Sequence, residues 1–161
     1  MVLGQEKEIR TYLKQHFLTN LMQPYEFLEH TADEKFRAYG KDLEEAFSNA
    51  ALATTAIMTD VKLIKPKITH TIKVNANNKN TLLYEFLEEL IFLVDTEAFL
   101  LSKVTSISIK ELEGFFKLEA TIKGDTADAY EVTTHIKAVT YSEMFIKEEE
   151  NGVTIQVVHD V

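Results

Sequence analysis

KFRAYGKDLEEAFSNAALATTAIM, residues 35–58, changes its periodicity at Gly40, and that change decides the fold class. Before the glycine, Lys35-Phe36-Arg37-Ala38-Tyr39 alternates polar with apolar side chains, as a half-buried strand does. After it, Leu43, Ala46, Phe47, Ala50, Ala53 (or Thr54) and Ile57 recur at the spacing of one helix face. Asp42 is placed to cap the first free N–H groups, with Glu45 at the reciprocal position of a capping box. The pattern predicts a helix to about Met58, whose alanines permit close approach to a sheet.

Working toward the N-terminus, YEFLEH (residues 25–30) alternates again and reads as a strand beside the first one. Residues 3–22 instead place Leu3, Ile9, Leu13, Phe17 and Leu21 on one face of an irregular amphipathic helix, ended by Pro24. The chain therefore divides into an N-terminal amphipathic helical extension, residues 1–23, and a domain, residues 24–161. The extension is expected to pack on the domain, on a second copy or on a partner, or to remain a loosely held arm.

Toward the C-terminus, Lys67–Val74 alternates as a strand, Asn77-Asn78 turns the chain, and Asn80 or Thr81 can cap a second helix. That helix, Leu82 to about Thr96, turns Leu83, Phe86, Leu87, Leu90, Ile91 and Val94 inward, and its broad apolar surface predicts the more buried of the two. Strands follow at Phe99–Glu111, Phe115–Lys123, Val132–Lys147 and Val153–Val158. Glu113-Gly114 and Asn151-Gly152 supply turns, the latter in type I′ form. The sum is an α+β fold with two helices packed on one face of a mostly antiparallel β-sheet.

The composition narrows the chemistry. The 161 residues can bury a core without a staple, so folding itself requires no metal or disulfide. With no cysteine, thiolate metal sites, redox dithiols and cysteine nucleophiles are excluded. The apolar stretch around Leu82–Val94 is short and interrupted by Glu85, Glu88 and Glu89, so no membrane span is expected. The N-terminus lacks the order of a signal peptide, and a cytoplasmic location is the expectation. A net charge of -9 disfavours stand-alone nucleic-acid binding and suits cation binding, docking on a basic protein, or solubility alone. No glycine-rich phosphate loop, nucleophile elbow or HExxH helix occurs, and no two of the five histidines stand at helical ligand spacing.

Two polar features stand out. Glu29-His30-Thr31-Ala32-Asp33 lies between two strand-like segments, where Asp33 can be a turn former or a ligand. At the other end an alternating strand runs into His159-Asp160-Val161, so that Asp160 and the Val161 carboxylate place two oxygen groups side by side. With a third carboxylate they would suit a hard divalent cation.

YEFLEHTAD (residues 25–33), FRAYGKDLEEAFSNAALA (36–53), LLYEFLEELIFLVDTE (82–97), KAVTY (137–141) and the terminal HDV together resemble the archease family across residues 24–161. The resemblance implies an α+β fold of strand-helix-strand-strand type. It also implies an accessory protein rather than an enzyme: an activator of the GTP-dependent tRNA-splicing RNA ligase. That ligase works through a guanylylated histidine, and archease promotes its guanylylation and multiple turnover. A second role proposed in the family is that of chaperone or specificity modulator of a tRNA methyltransferase.

By the same resemblance, Asp33, Asp160 and Val161 would hold a divalent metal ion through oxygen, of the Ca²⁺ or Mg²⁺/Mn²⁺ type. Lys137 is a candidate cationic partner of that site or of a phosphate; otherwise it is an outward strand lysine. His30, Glu143 and His159 are candidates for supporting positions. Two departures from the family pattern bear on the site: Glu34 follows the HTAD motif where an apolar residue is usual, and His159 precedes the final Asp where an aromatic is common. A metal-dependent hydrolase using these carboxylates directly would need a water-activating site and a cleft that the sequence does not display.

Overall fold

The computed structural model describes residues 3–12 and 23–161. Residues 3–12 form a helix, α1, whose side chains are exposed, Leu3 and Ile9 at 82% and 58%. Leu13, Phe17 and Leu21, the rest of the expected apolar face, lie outside the described residues.

The periodicity change at Gly40 is the junction between β2 (Glu34–Gly40) and α2 (Leu43–Met58). Asp42 caps α2 as expected, its Oδ1 accepting the Glu45 N–H at 2.8 Å. Gly40 is needed because a Cβ there would collide with the Ala46 backbone, so the strand can turn directly into the helix. β1 (Tyr25–Leu28) pairs with β2, and β2 pairs in turn with β7 (Gly152–Asp160), which pairs with β6 (Ala138–Glu149). All of these pairings are antiparallel and give a four-stranded sheet of order β1-β2-β7-β6.

β3 (Ile68–Ala76), β4 (Phe99–Leu112) and β5 (Phe115–Thr126) form a second, three-stranded antiparallel sheet of order β3-β5-β4. Glu113-Gly114 makes the β4-β5 turn, with Gly114 in the left-handed region at φ 81°. The α+β class and the antiparallel pairing are as expected, and the strands are shared between two sheets. α2 packs on β2 and β7 of one sheet and β4 of the other; α3 (Lys79–Glu97) packs on β3 and β5 and on β6. Phe36, Phe47, Phe86, Phe99 and Leu118 fill the space between, all at most 1% exposed.

Several local expectations need correction. α2, not α3, is the more buried helix: nine of its 16 residues are buried, against six of 19 in α3. Its alanines fit it against both sheets, whereas α3 keeps Glu85, Glu89, Phe92 and Asp95 in solvent. α3 also starts earlier, because Asn78, not Asn80 or Thr81, is its cap and accepts the Thr81 N–H at 2.8 Å. The pairing of Glu149 with Gly152 makes Glu150-Asn151 the hairpin loop, so the type I′ turn at Asn151-Gly152 does not form. Gly152 instead opens β7 where a Cβ would press within 2.8 Å of the Gly40 carbonyl oxygen. Finally, β6 begins at Ala138 rather than Val132, because its partner β7 ends opposite it at Asp160.

Candidate functional site

The register of the four-stranded sheet brings the two ends of the domain together. Glu34 pairs with His159, so Asp33 and Asp160 each stand one residue beyond the last β2-β7 pair, at the same end of the sheet. On the other side of β7, Asp160 pairs with Ala138, and the Lys137 N–H donates to the Asp160 carbonyl oxygen at 2.8 Å. The KAVTY segment is thereby tied by its backbone to the terminal strand, while the Lys137 side chain is exposed and makes no ion pair with the described residues.

Alternation along β7 assigns the two faces. His159 points inward and is fully buried, its ring 5.7 Å from that of Phe36 and its Nε2 2.9 Å from Thr54 Oγ1. Burial pushes its imidazole down to about 4, an effect that the Ala138 carbonyl offsets only in part. Asp160 therefore faces the opposite side, the outer face that carries Arg37 and Gln156, and His159 is not brought together with it.

On that outer face a bulge in β6, between Thr140 and Phe145, lifts Glu143 out of the ladder with a left-handed backbone at φ 55°. Its carboxylate meets His30 Nε2 at 2.9 Å and Lys35 Nζ at 3.6 Å. Its carbonyl accepts from Gln156 Nε2 at 2.8 Å, and Gln156 Oε1 accepts from Arg37 Nε at 3.0 Å. The bulge is thus pinned by side chains of β2 and β7. His30 lies in the loop between β1 and β2, where Ala32 is also left-handed at φ 66°. Its Nδ1 is buried, has no hydrogen-bond partner, and faces Asp33 Oδ2 at 3.8 Å. The ring thus stands between two carboxylates, hydrogen-bonded to that of Glu143 and short of hydrogen-bond reach of that of Asp33.

The structure therefore brings His30, Asp33, Glu143 and Asp160 to one end and one face of the four-stranded sheet, and Lys137 to its margin. Among the described residues, no three His, Asp or Glu side chains converge closely enough to hold a metal ion by themselves. The donor set for a divalent ion would be the Asp33 and Asp160 carboxylates and the Val161 carboxylate; two buried ring nitrogens nearby lack a hydrogen-bond partner, His30 Nδ1 on this face and His159 Nδ1 on the inner one. Oxygen-dominated, incomplete sets that leave positions for water suit hard cations. Lys35, Arg37 and Gln156 are the positions that sequence reading missed. The parity that places Lys35 and Arg37 on one face was legible, but their link to Gln156 requires the β2-β7 register.

The model of the Archease protein family (MTH1598/TM1083) matches residues 25–161. The chain belongs to the archease family. The protein archease of Methanothermobacter thermautotrophicus is 37% identical over 141 residues, which span 87% of this chain and 100% of the relative. The protein archease of Sulfurisphaera tokodaii is 39% identical over 143 residues, with the same coverage of both chains. The solution structure of Methanobacterium thermoautotrophicum protein 1598 superposes with a TM-score of 0.74 at 33% identity, covering 86% of this archease and 99% of that chain. A Thermotoga maritima crystal structure, described as an archease and possible chaperone, shares the fold at a TM-score of 0.51 and 18% identity. The family match begins at Tyr25, so α1 and the residues after it stand outside the archease core. No helix among the described residues is long and apolar enough to cross a membrane.

Proposed function

We propose that this archease is an accessory activator of a GTP-dependent tRNA-splicing RNA ligase, promoting its guanylylation and multiple turnover. Asp33, Asp160 and the Val161 carboxylate would hold a divalent ion, which at a ligase's nucleotide site supplies neutralisation of phosphate charge. The observation that carries the reading is the β2-β7 register, which sets Asp33 and Asp160 at one sheet end beside the unpartnered His30 Nδ1. The chain's own contribution is positional. The His30–Glu143–Lys35 contacts and the pinned bulge fix one wall of this end before a partner arrives, and preorganised groups lose less entropy on docking.

The test is multiple-turnover ligation by the cognate ligase alone, with equimolar archease, and with its Asp33→Ala and Asp160→Ala variants. Stimulation by the unmodified chain and its loss in both variants is the expected result. Equal ligation in all four reactions would overturn the reading. The alternative is a chaperone or specificity modulator of a tRNA methyltransferase; the Thermotoga maritima relative is described only as a possible chaperone. In that role, suppression of the client's aggregation would survive both substitutions.

A further inference from the structure

The outward face of the three-stranded sheet has a charge opposite to that of the protein. Alternation turns Ile72, Leu118, Ala120 and Ile122 toward the helices, and the intervening residues toward solvent. The register sorts those outward residues into rows: Thr69 with Lys123 and Lys103, Thr71 with Thr121 and Ser106, Lys73 with Glu119 and Ser108, and Asn75 with Lys117 and Lys110. Five lysines thus share a face with one carboxylate, in a chain whose net charge is -9. Lys73 is paired with Glu119 at 3.9 Å, while Lys103, Lys110, Lys117 and Lys123 make no ion pair with the described residues.

The arrangement within the rows is the informative part. Lys103 is the direct cross-strand partner of Lys123, and Lys110 of Lys117. Like charges directly opposite one another destabilise a sheet, so two such pairs work against the fold. A polyanion lying over them converts that repulsion into attraction. The two pairs stand six positions apart along β5, about 20 Å at strand rise, so the lysines form a track along β4 and β5 and not a point cluster. The rows between supply hydroxyls from Thr121, Ser106 and Ser108, which can donate to phosphate oxygens. Beyond the last pair, the half-buried ring of Phe115 stands at the hairpin end of the same face, where a base can stack without sequence readout.

We propose that this sheet face is an RNA-binding surface, on which a single-stranded segment lies along β4 and β5 with its phosphates on the Lys103/Lys123 and Lys110/Lys117 pairs. Net charge conceals it because only Glu119 stands in these rows, while Glu85, Glu88 and Glu89 belong to α3. The proposal goes beyond the ligase reading and is independent of it, since RNA held here could be presented to a ligase or to a methyltransferase. A membrane surface is disfavoured by the hydroxyl-rich rows, which offer little apolar area to insert.

The experiment is fluorescence anisotropy of a labelled single-stranded RNA of about 20 nucleotides with the full chain, at low salt and in a salt series. Four phosphate contacts predict a log-log salt slope of roughly -3. The combined Lys103→Gln, Lys110→Gln, Lys117→Gln and Lys123→Gln variant should weaken binding by at least about tenfold and flatten that slope. Its thermal midpoint should equal or exceed that of the parent, because the substitutions remove repulsion, which separates lost binding from lost folding. Lys41→Gln, an exposed lysine outside the rows, should leave the affinity unchanged. Retention of affinity within about twofold in the four-glutamine variant would overturn the proposal. So would binding of anionic phosphatidylserine vesicles without binding of RNA.

Discussion

Thr54 Oγ1 donates to the Ala50 carbonyl oxygen at 2.9 Å and lies 2.9 Å from His159 Nε2, so its single proton is engaged and it can only accept from the ring. This fixes His159 as the neutral Nε2–H tautomer, buried between α2 and the four-stranded sheet with Phe36 beside it. A contact between residues 105 positions apart thus joins the C-terminal strand to the first core helix.

The pH dependence of stability follows from that burial. The folded-state value of His159 is lowered to about 4 from the ordinary 6.5, so between these limits the unfolded chain binds the additional proton. Stability from this group is complete above about pH 6.5 and is lost as pH falls toward 4, a change on the order of 3 kcal/mol. His159→Phe removes the titration and should flatten thermal midpoints measured between about pH 4.5 and 7.5. The cost is the Thr54 acceptor left without its donor, about 1 kcal/mol at neutral pH. An acid limb unchanged in the variant would assign the dependence to other groups.

Glu143 permits a separation of backbone strain from side-chain contact. Its left-handed conformation costs a non-glycine residue about 1 kcal/mol, while its pairs with His30 and Lys35 are partly solvated and contribute a few tenths each, to about 1 kcal/mol. Glu143→Gly relieves the first and loses the second, so its stability should lie close to that of the parent. Glu143→Ala loses the pairs and keeps the strain, and should be less stable than the glycine variant by about 1 kcal/mol in urea titration. Equal stabilities would place the strain elsewhere.

What was legible in the sequence was what local chemistry determines. Asp42 and the Gly40 junction announce α2 because a cap and a period change need only neighbouring residues. Val132–Lys137 alternates like a strand yet forms none, because pairing requires a partner and β7 ends opposite Ala138. The division into two sheets is equally non-local. In the site, family resemblance singled out Asp33 and Asp160, and the register explains how residues 127 positions apart stand at the same end of one sheet. The inward turn of His159, and the Arg37–Gln156 link that holds the Glu143 bulge, depend on strand parity relative to a partner that sequence alone does not name.

Removal of residues 1–23 is expected to leave the domain intact. The side chains of α1 are exposed, and the archease match begins at Tyr25. A chain of residues 24–161 should therefore unfold cooperatively within about 2–4 °C of the full chain, the shift that 1 kcal/mol produces at this size. A larger loss, measured by circular dichroism, would mean that the extension contributes to the core.

Divalent ions should act on Asp33 and Asp160 with opposite signs in two conditions. Without metal, carboxylates gathered at one sheet end repel one another, so Asp160→Asn should match or slightly exceed the parent in thermal midpoint. With an ion at about 100 times its Kd, binding to the folded state alone adds about 2.7 kcal/mol, or roughly 5–10 °C for a chain of this size. That gain should appear in the parent and vanish in Asp160→Asn and Asp33→Asn, so the order of stabilities inverts when metal is added. His159→Phe, on the buried face, should retain the full gain. Thermal scans with Ca²⁺, Mg²⁺ and Mn²⁺ at fixed ionic strength decide the matter: equal shifts in parent and asparagine variants would remove both aspartates from the metal site.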